Sequence, residues 1–265
     1  MATYYPYLRA KAFDLSAVQH ATAPLVANGK ILPILEPVRV ASRPLVRRAT
    51  SFGAAGLTTS LVMNPQVGEL YGNSTATTQL LAAMRGVGAT VVPALIVHSR
   101  LQVAEVQAFQ SHVQSGAIII HFDVPAPPVV AALKAHGTAT NVFLDGATSV
   151  THQGTFEPRS LLRDGFNAQV RNASYPVTSF FSDLHLTFKP LGFASFGDFA
   201  TIGMRYVVGG GPAYAVAIHM TEDRQAQGVY CNHFLSTSNA TTANPGGKFG
   251  EAVAALARRS RCAQV

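Results

Sequence analysis

Cysteine is almost absent. Cys231 and Cys262 are the only two in 265 residues, so the sequence offers neither a disulfide framework nor a zinc-type ligand spacing. Both are expected as free thiols. Charge is scarce as well: 12% of residues are charged and 48% are apolar, which excludes a disordered chain and calls for a sizeable core. No stretch approaches the ~18 apolar residues of a membrane span. The opening MATYYPYLRAKAFD lacks the apolar centre that a secretory signal requires. A cytoplasmic protein with no membrane association is therefore expected, and the glycosylation-like triplets at Asn73, Asn172 and Asn239 are chance matches.

Acidic residues are in deficit, 13 against 20 Lys and Arg, for a net charge of +7. That balance favours anionic ligands. The basic groups are scattered, however, apart from Arg43, Arg47 and Arg48 and the terminal Arg258, Arg259 and Arg261. Nucleic acid is a possible partner but is not favoured. A linker of biased composition is also lacking, so one domain over residues 1–265 is expected.

Against these absences stands a regular rhythm. Short apolar runs begin at 4 (YYPYLRAK), 31 (ILPILEP), 57 (LTTSLVMNP), 91 (VVPALIVHS), 117 (AIIIHFD), 140 (TNVFLDG), 166 (FNAQVRN) and 214 (YAVAIHM). The first seven start roughly 25–35 residues apart, which is one strand plus one crossover helix. Helix-like segments fill the gaps: one from Asp14 to Gly29, interrupted by Pro24, and others ending at Gly116 and Gly137. The stretch EPRSLLRDG reads as a brief helix of the same kind. Eight strands with intervening helices predict a (β/α)8 barrel of the TIM type. The competing doubly wound sheet wants a glycine-rich turn after its first strand, and RAKAFDL has none. About forty residues rich in Phe and Gly (173–213) form an insertion between the seventh and eighth strands. An extra strand and a final helix follow the eighth.

Each run ends on a polar side chain: Lys11, Glu36, Asn64, His98, Asp123, Asp145, Arg171 with Asn172, and His219. In a barrel these ends converge on the carboxyl-terminal rim, where barrel enzymes place their chemistry. Alternation puts His121 on the same face as Asp123. Lys11, Glu36, Asp123, Asp145 and His219 are the catalytic candidates, and Asn64, His98, His121, Arg171 and Asn172 the ligand-binding ones. Asp183 and His185, two apart within the insertion, join the second group. The three carboxylates with His98 or His219 make a divalent cation a candidate cofactor, and Arg171 suits capture of a phosphate or carboxylate. Other stretches offer less. GGGP (209–212) reads as a turn, and NPGGKFGEA lacks the P-loop pattern, although its helix start is a candidate anion site. CNHF (231–234) has a thiol beside a histidine but no third group.

The segments YYPYLRAKAFDLSAV, ILPILEPV, SDLHLTFKPLGFASFGDFATIG, GGPAYAVAIH and NPGGKFGEAVAAL resemble the Beta-protein family, largely uncharacterised proteins of bacteria and phages. The resemblance implies a single-domain protein with Lys11 as part of the family pattern and a phage-related or defence setting. Where relatives commonly carry a glutamate shortly after that lysine, this chain has Asp14. The resulting expectation is a barrel enzyme, for example a metal-dependent hydrolase, acting on an anionic, phosphorylated or nucleotide-like ligand. The alternative is a non-catalytic barrel that binds a peptide or partner protein.

Overall fold

The computed structural model of the chain describes residues 2–135, 137, 139–208 and 213–262, with side chains up to 259. The turn expected at 209–212 and the thiol of Cys262 lie outside the described parts. In chain order the first elements are β1 (Tyr4–Leu8), α1 (Ala12–His20), α2 (Thr22–Asn28), β2 (Ile34–Leu35), α3 (Arg43–Ala54), β3 (Thr59–Val62) and α4 (Ser74–Gly86). Then come β4 (Val91–Val97), α5 (Val103–Gln110), β5 (Ala117–His121), α6 (Pro127–Lys134), β6 (Ala139–Leu144), α7 (Val150–Gln153) and β7 (Arg159–Arg163). The last are β8 (Thr178–Ser182), α8 (Leu184–Thr187), β9 (Ser195–Asp198), β10 (Ala217–Asp223), β11 (Val229–Leu235) and α9 (Pro245–Cys262).

Strands β1 to β7 and then β9 pair in parallel around a closed eight-stranded barrel, with β9 completing the ring against β1. The fold is thus the (β/α)8 type. The described residues divide into two compact units: 1–163 with 187–199 form the barrel, and 164–186 with 200–265 form the second. In the second unit β10, β11 and β8 make an antiparallel sheet, and α9 packs on β10 and β11.

Residues two apart share a face of a strand, and this sorts the barrel side chains. Tyr5, Tyr7, Ile34, Val62, Ile96, Ile120, Val142 and Leu162 fill the interior as one cluster. Leu8, facing out, instead joins Val18, Phe52 and Leu57 under the helices. Gly197 lets β9 approach β1, since a Cβ there would lie 2.3 Å from the Tyr5 carbonyl oxygen.

The first crossover is helical, in two pieces. The chain breaks at Ala21, Pro24 falls in the first turn of α2, where its missing N–H costs nothing, and Gly29 ends the helix with φ 64°. The last two barrel strands correct the sequence reading. FNAQVRN forms no strand; Val170 in its middle is 92% exposed, so its alternation has no core to face. The seventh strand is instead SLLR with its flanking Arg159, buried on both faces, in the stretch expected as a brief helix because Pro158 and Gly165 bracket it like start and stop signals. The eighth is SFGD, inside the stretch read as an insertion. YAVAIHM does contain a strand start, but β10 belongs to the antiparallel sheet. Consequently Arg171, Asn172 and His219 do not end barrel strands.

Candidate functional site

Six of the expected strand-end residues do sit at carboxyl-terminal ends of barrel strands: Lys11, Glu36, Asn64, His98, Asp123 and Asp145. They form several separate groups, each with its own partners.

Glu36 is fully buried and faces into the barrel. One of its oxygens, Oε2, accepts from the Tyr7 hydroxyl at 2.7 Å and from the Arg9 guanidinium, and Oε1 accepts from the Gln66 backbone N–H at 2.8 Å. Burial, and then the Glu36 charge, push the Tyr7 hydroxyl well above its ordinary value. Tyr7 packs on Phe199 and Phe122 with ring centroids 4.8 and 6.1 Å apart, and the Arg9 guanidinium lies 5.3 Å from the Tyr7 ring. The middle of the barrel mouth is thus filled by aromatic rings around a neutralised ion pair.

Lys11 precedes α1, and Asp14 in the first turn accepts from the backbone N–H groups of Arg9 and Lys11. Lys11 also borders a cavity of about 490 Å³ with Phe13, Pro37, Val38 and Leu45. Asp145 pairs with Arg163 at 2.6 Å. Asp123 bonds the Ser99 side chain and its own neighbour's N–H, and these bonds hold its carboxyl below the ordinary range. His121 faces outward from β5 and is buried against Phe143, His152 and Phe156. Its Nε2 donates to Asn141 Oδ1 at 3.1 Å, and its Nδ1 accepts from His152 Nε2 at 3.1 Å. Burial drives its pKa down to about 3. His121 and Asp123 therefore face away from the lumen.

Asn64 and His98 border a cavity of about 480 Å³ over the ends of β3 and β4. Asn64 extends the sheet by side chain: its Nδ2 donates to the Ile96 carbonyl, and the Ile96 N–H donates to its Oδ1, both at 2.8 Å. This fixes one wall. Arg100, His112, Gln66, Met63, Leu95 and Phe109 contribute to the rest, with Asn73 and Ser74 from the start of α4. Asn73 caps that helix by accepting from the Ala76 N–H at 3.0 Å. Glu105 is the one carboxylate in the lining, and it is engaged in capping α5 through the Gln102 N–H. His98 Nδ1 is buried and has no hydrogen-bond partner among the described residues. A polar atom left so costs ~1–3 kcal/mol unless something else satisfies it. Arg100 forms no ion pair among the described residues. Arg100, His112 and Gln66 did not stand out in the sequence, because helix and loop positions beside a strand end carry no periodic mark.

The expected cation set of Glu36, Asp123 and Asp145 with His98 or His219 is not assembled. Among the described residues, the one group of three metal-capable side chains close enough to share an ion is His219, Cys231 and His233, all in the second unit. Burial pushes the His219 pKa down to about 4, with His233 adding to the effect. Asp183 and His185 also belong to this unit, where His185 Nε2 lies 3.8 Å from Asp223. Arg171 is exposed, and Asn172 Nδ2 donates to the Ala215 carbonyl at 2.8 Å. At the start of α9, Asn244 accepts from the Gly247 N–H, and the buried Lys248 ammonium donates to the carbonyls of Ala213, Tyr214 and Thr241. Lys248 is thereby occupied as a clamp between loops.

No helix among the described residues is long and apolar enough to cross a membrane. No family model matches the chain, and no curated protein matches it. Solved structures do resemble it in fold. KD(P)GA from T. tenax aligns over 76% of this chain and 70% of its own, at 10% identity and a TM-score of 0.41. SacUVDE aligns over 77% and 94%, at 9% identity and a TM-score of 0.41. Likeness at this level concerns the barrel fold alone.

Proposed function

We propose that the barrel unit binds a small anionic molecule in the cavity over β3 and β4 and carries out proton transfer on it. Arg100 supplies the charge, Asn64 and Gln66 the orienting hydrogen bonds, and His98 the acid–base group. The observation that carries this reading is the buried Nδ1 of His98, without a hydrogen-bond partner among the described residues, on the wall of a cavity that Arg100 also lines. Asp123 lies close enough to His98 to interact with it electrostatically. A phosphate or carboxylate on the ligand matches an arginine fork. Titration of inorganic phosphate and then a nucleoside monophosphate by calorimetry tests the proposal. Saturable binding that weakens at least tenfold in Arg100→Ala and in His98→Ala is expected; binding unchanged in both variants contradicts it. Membership of the Beta-protein family is proposed on the sequence segments quoted above and brings no activity with it.

The second reading, a partner-binding barrel, is favoured by one observation: the interior mouth is filled and the charges of Glu36 and Asp145 are paired. Co-purification of a stoichiometric protein partner, with no response to any anion, would select it.

A further inference from the structure

We propose that His219, Cys231 and His233 of the second unit form a binding site for a zinc-class transition metal. The site is independent of the cavity in the barrel. It is built by a hairpin: β10 and β11 pair antiparallel with His219 directly opposite His233 and Thr221 opposite Cys231. Because Cys231 and His233 are two apart, their side chains share one face of the sheet, and His219 joins them from the neighbouring strand.

The donor atoms converge. His219 Nδ1 and His233 Nδ1 lie 2.7 Å apart, Cys231 Sγ is 3.9 Å from His233 Nδ1, and the three lie within 4.8 Å of one another. A tetrahedral ion with Zn–N bonds of about 2.0–2.1 Å and a Zn–S bond of about 2.3 Å needs nitrogen donors about 3.4 Å apart and N–S separations of about 3.6 Å. The two imidazoles must therefore open by about 0.7 Å, and the thiol must close by about 0.3 Å on His233 and by up to about 1.2 Å on His219, which side-chain rotation provides. Two imidazoles and a thiolate make a borderline-soft set that selects zinc or its neighbours over magnesium or calcium.

A supporting layer is already in place. The Ser179 hydroxyl, on the adjoining strand β8, is 2.9 Å from His233 Nε2. With Nε2–H donating to that oxygen, Nδ1 keeps its lone pair for a metal, the arrangement in which histidine ligands are commonly held. Tyr175 stacks on His233 at 4.8 Å and Phe166 meets the His219 ring at 4.9 Å, so aromatic rings wall the site. Cys231 and His233 are buried and His219 is only partly so. Without a metal, the histidine pair is satisfied by one shared proton, while the thiol has long contacts of 3.9 Å to the Asn232 carbonyl and His233 and a hydrogen bond with the Met220 backbone. Ligation is what brings the thiol into the arrangement. Three donors among the described residues leave one position of a tetrahedron for water or an added ligand.

The test uses the reduced, chelator-treated full-length protein titrated with Co²⁺ and then Zn²⁺. One equivalent of Co²⁺ is expected to give a thiolate-to-cobalt charge-transfer band and the visible bands of a tetrahedral ion, both erased by Zn²⁺. Cys231→Ser removes the charge-transfer band and Cys262→Ser keeps it. Ser179→Ala weakens Zn²⁺ binding by about ten- to hundredfold, and His219→Ala by more. The wild-type spectrum decides even if a variant fails to fold. An octahedral spectrum without a thiolate band overturns the proposal, as does a band that survives Cys231→Ser or vanishes with Cys262→Ser.

Discussion

Removing the Glu36 carboxylate should unfold much of the barrel's margin of stability. Glu36 is 0% exposed and Arg9 is 5% exposed. The carboxylate accepts from three donors: Arg9, the Tyr7 hydroxyl and the Gln66 N–H. Glu36→Ala leaves a buried guanidinium without its counter-charge, a loss of ~3–5 kcal/mol. It also strands the other two donors, at ~1–3 kcal/mol each if water does not reach them. These costs overlap, so ~4 kcal/mol is the working figure. Glu36→Gln does little better, because its NH₂ group must face a donor in either orientation. With a urea slope of about 3 kcal/mol/M, the midpoint of unfolding should fall by more than 1 M. The double variant Glu36→Leu with Arg9→Met should recover most of the loss, since buried ion pairs exchange well for apolar groups of similar volume. A Glu36→Ala midpoint within 0.3 M (about 1 kcal/mol at that slope) of wild type would refute the buried-pair account and return Glu36 to the catalytic candidates.

Three further outcomes follow from other positions. The folded His121 imidazole resists protonation down to about 3, whereas an unfolded one titrates near 6.5. Between those values the unfolded chain binds more protons, so stability falls as pH falls, by ~1.4 kcal/mol per unit. Urea midpoints at pH 7 and 5 should show a loss of ~2 kcal/mol from this residue, a slope that flattens in His121→Phe; an equal slope in both proteins would contradict the assignment. Gly197→Ala should cost ~1–3 kcal/mol because its Cβ meets the Tyr5 backbone, and an unshifted melting temperature would count against that close approach. Lys248→Met strands three carbonyls and should destabilise by ~2 kcal/mol while leaving phosphate affinity unchanged; a calorimetric loss of phosphate binding would instead make the start of α9 an anion site.

The barrel was legible where apolar runs recurred at an even spacing. Ala117–His121 and Val91–Val97 are runs buried on both faces, as parallel strands are, and the spacing of the first six runs carried the architecture. It failed where other signals competed. SFGD lies in a stretch dense with Phe and Gly, SLLR is bracketed by Pro158 and Gly165 like a short helix, and the exposed FNAQVRN mimicked alternation. The strand-end residues were found, but not their partners: no pattern reveals that Arg9 reaches Glu36, or that parity turns His121 outward. The second unit's cluster was hidden for a different reason. His219 and His233 are not close in sequence, yet a hairpin turn centred near Ala226 brings them opposite one another. Cys231 and His233 at i and i+2, combined with that fold-back, were the signal available.

The most direct test of the cavity's role is nitrogen NMR of the histidine rings during titration with phosphate and a nucleoside monophosphate, with signals assigned through His98→Ala and His112→Ala. The account predicts that the His98 and His112 ring signals shift together and saturate, while those of His121 and His152 stay fixed. Ligand binding that leaves the His98 and His112 signals unmoved would contradict it.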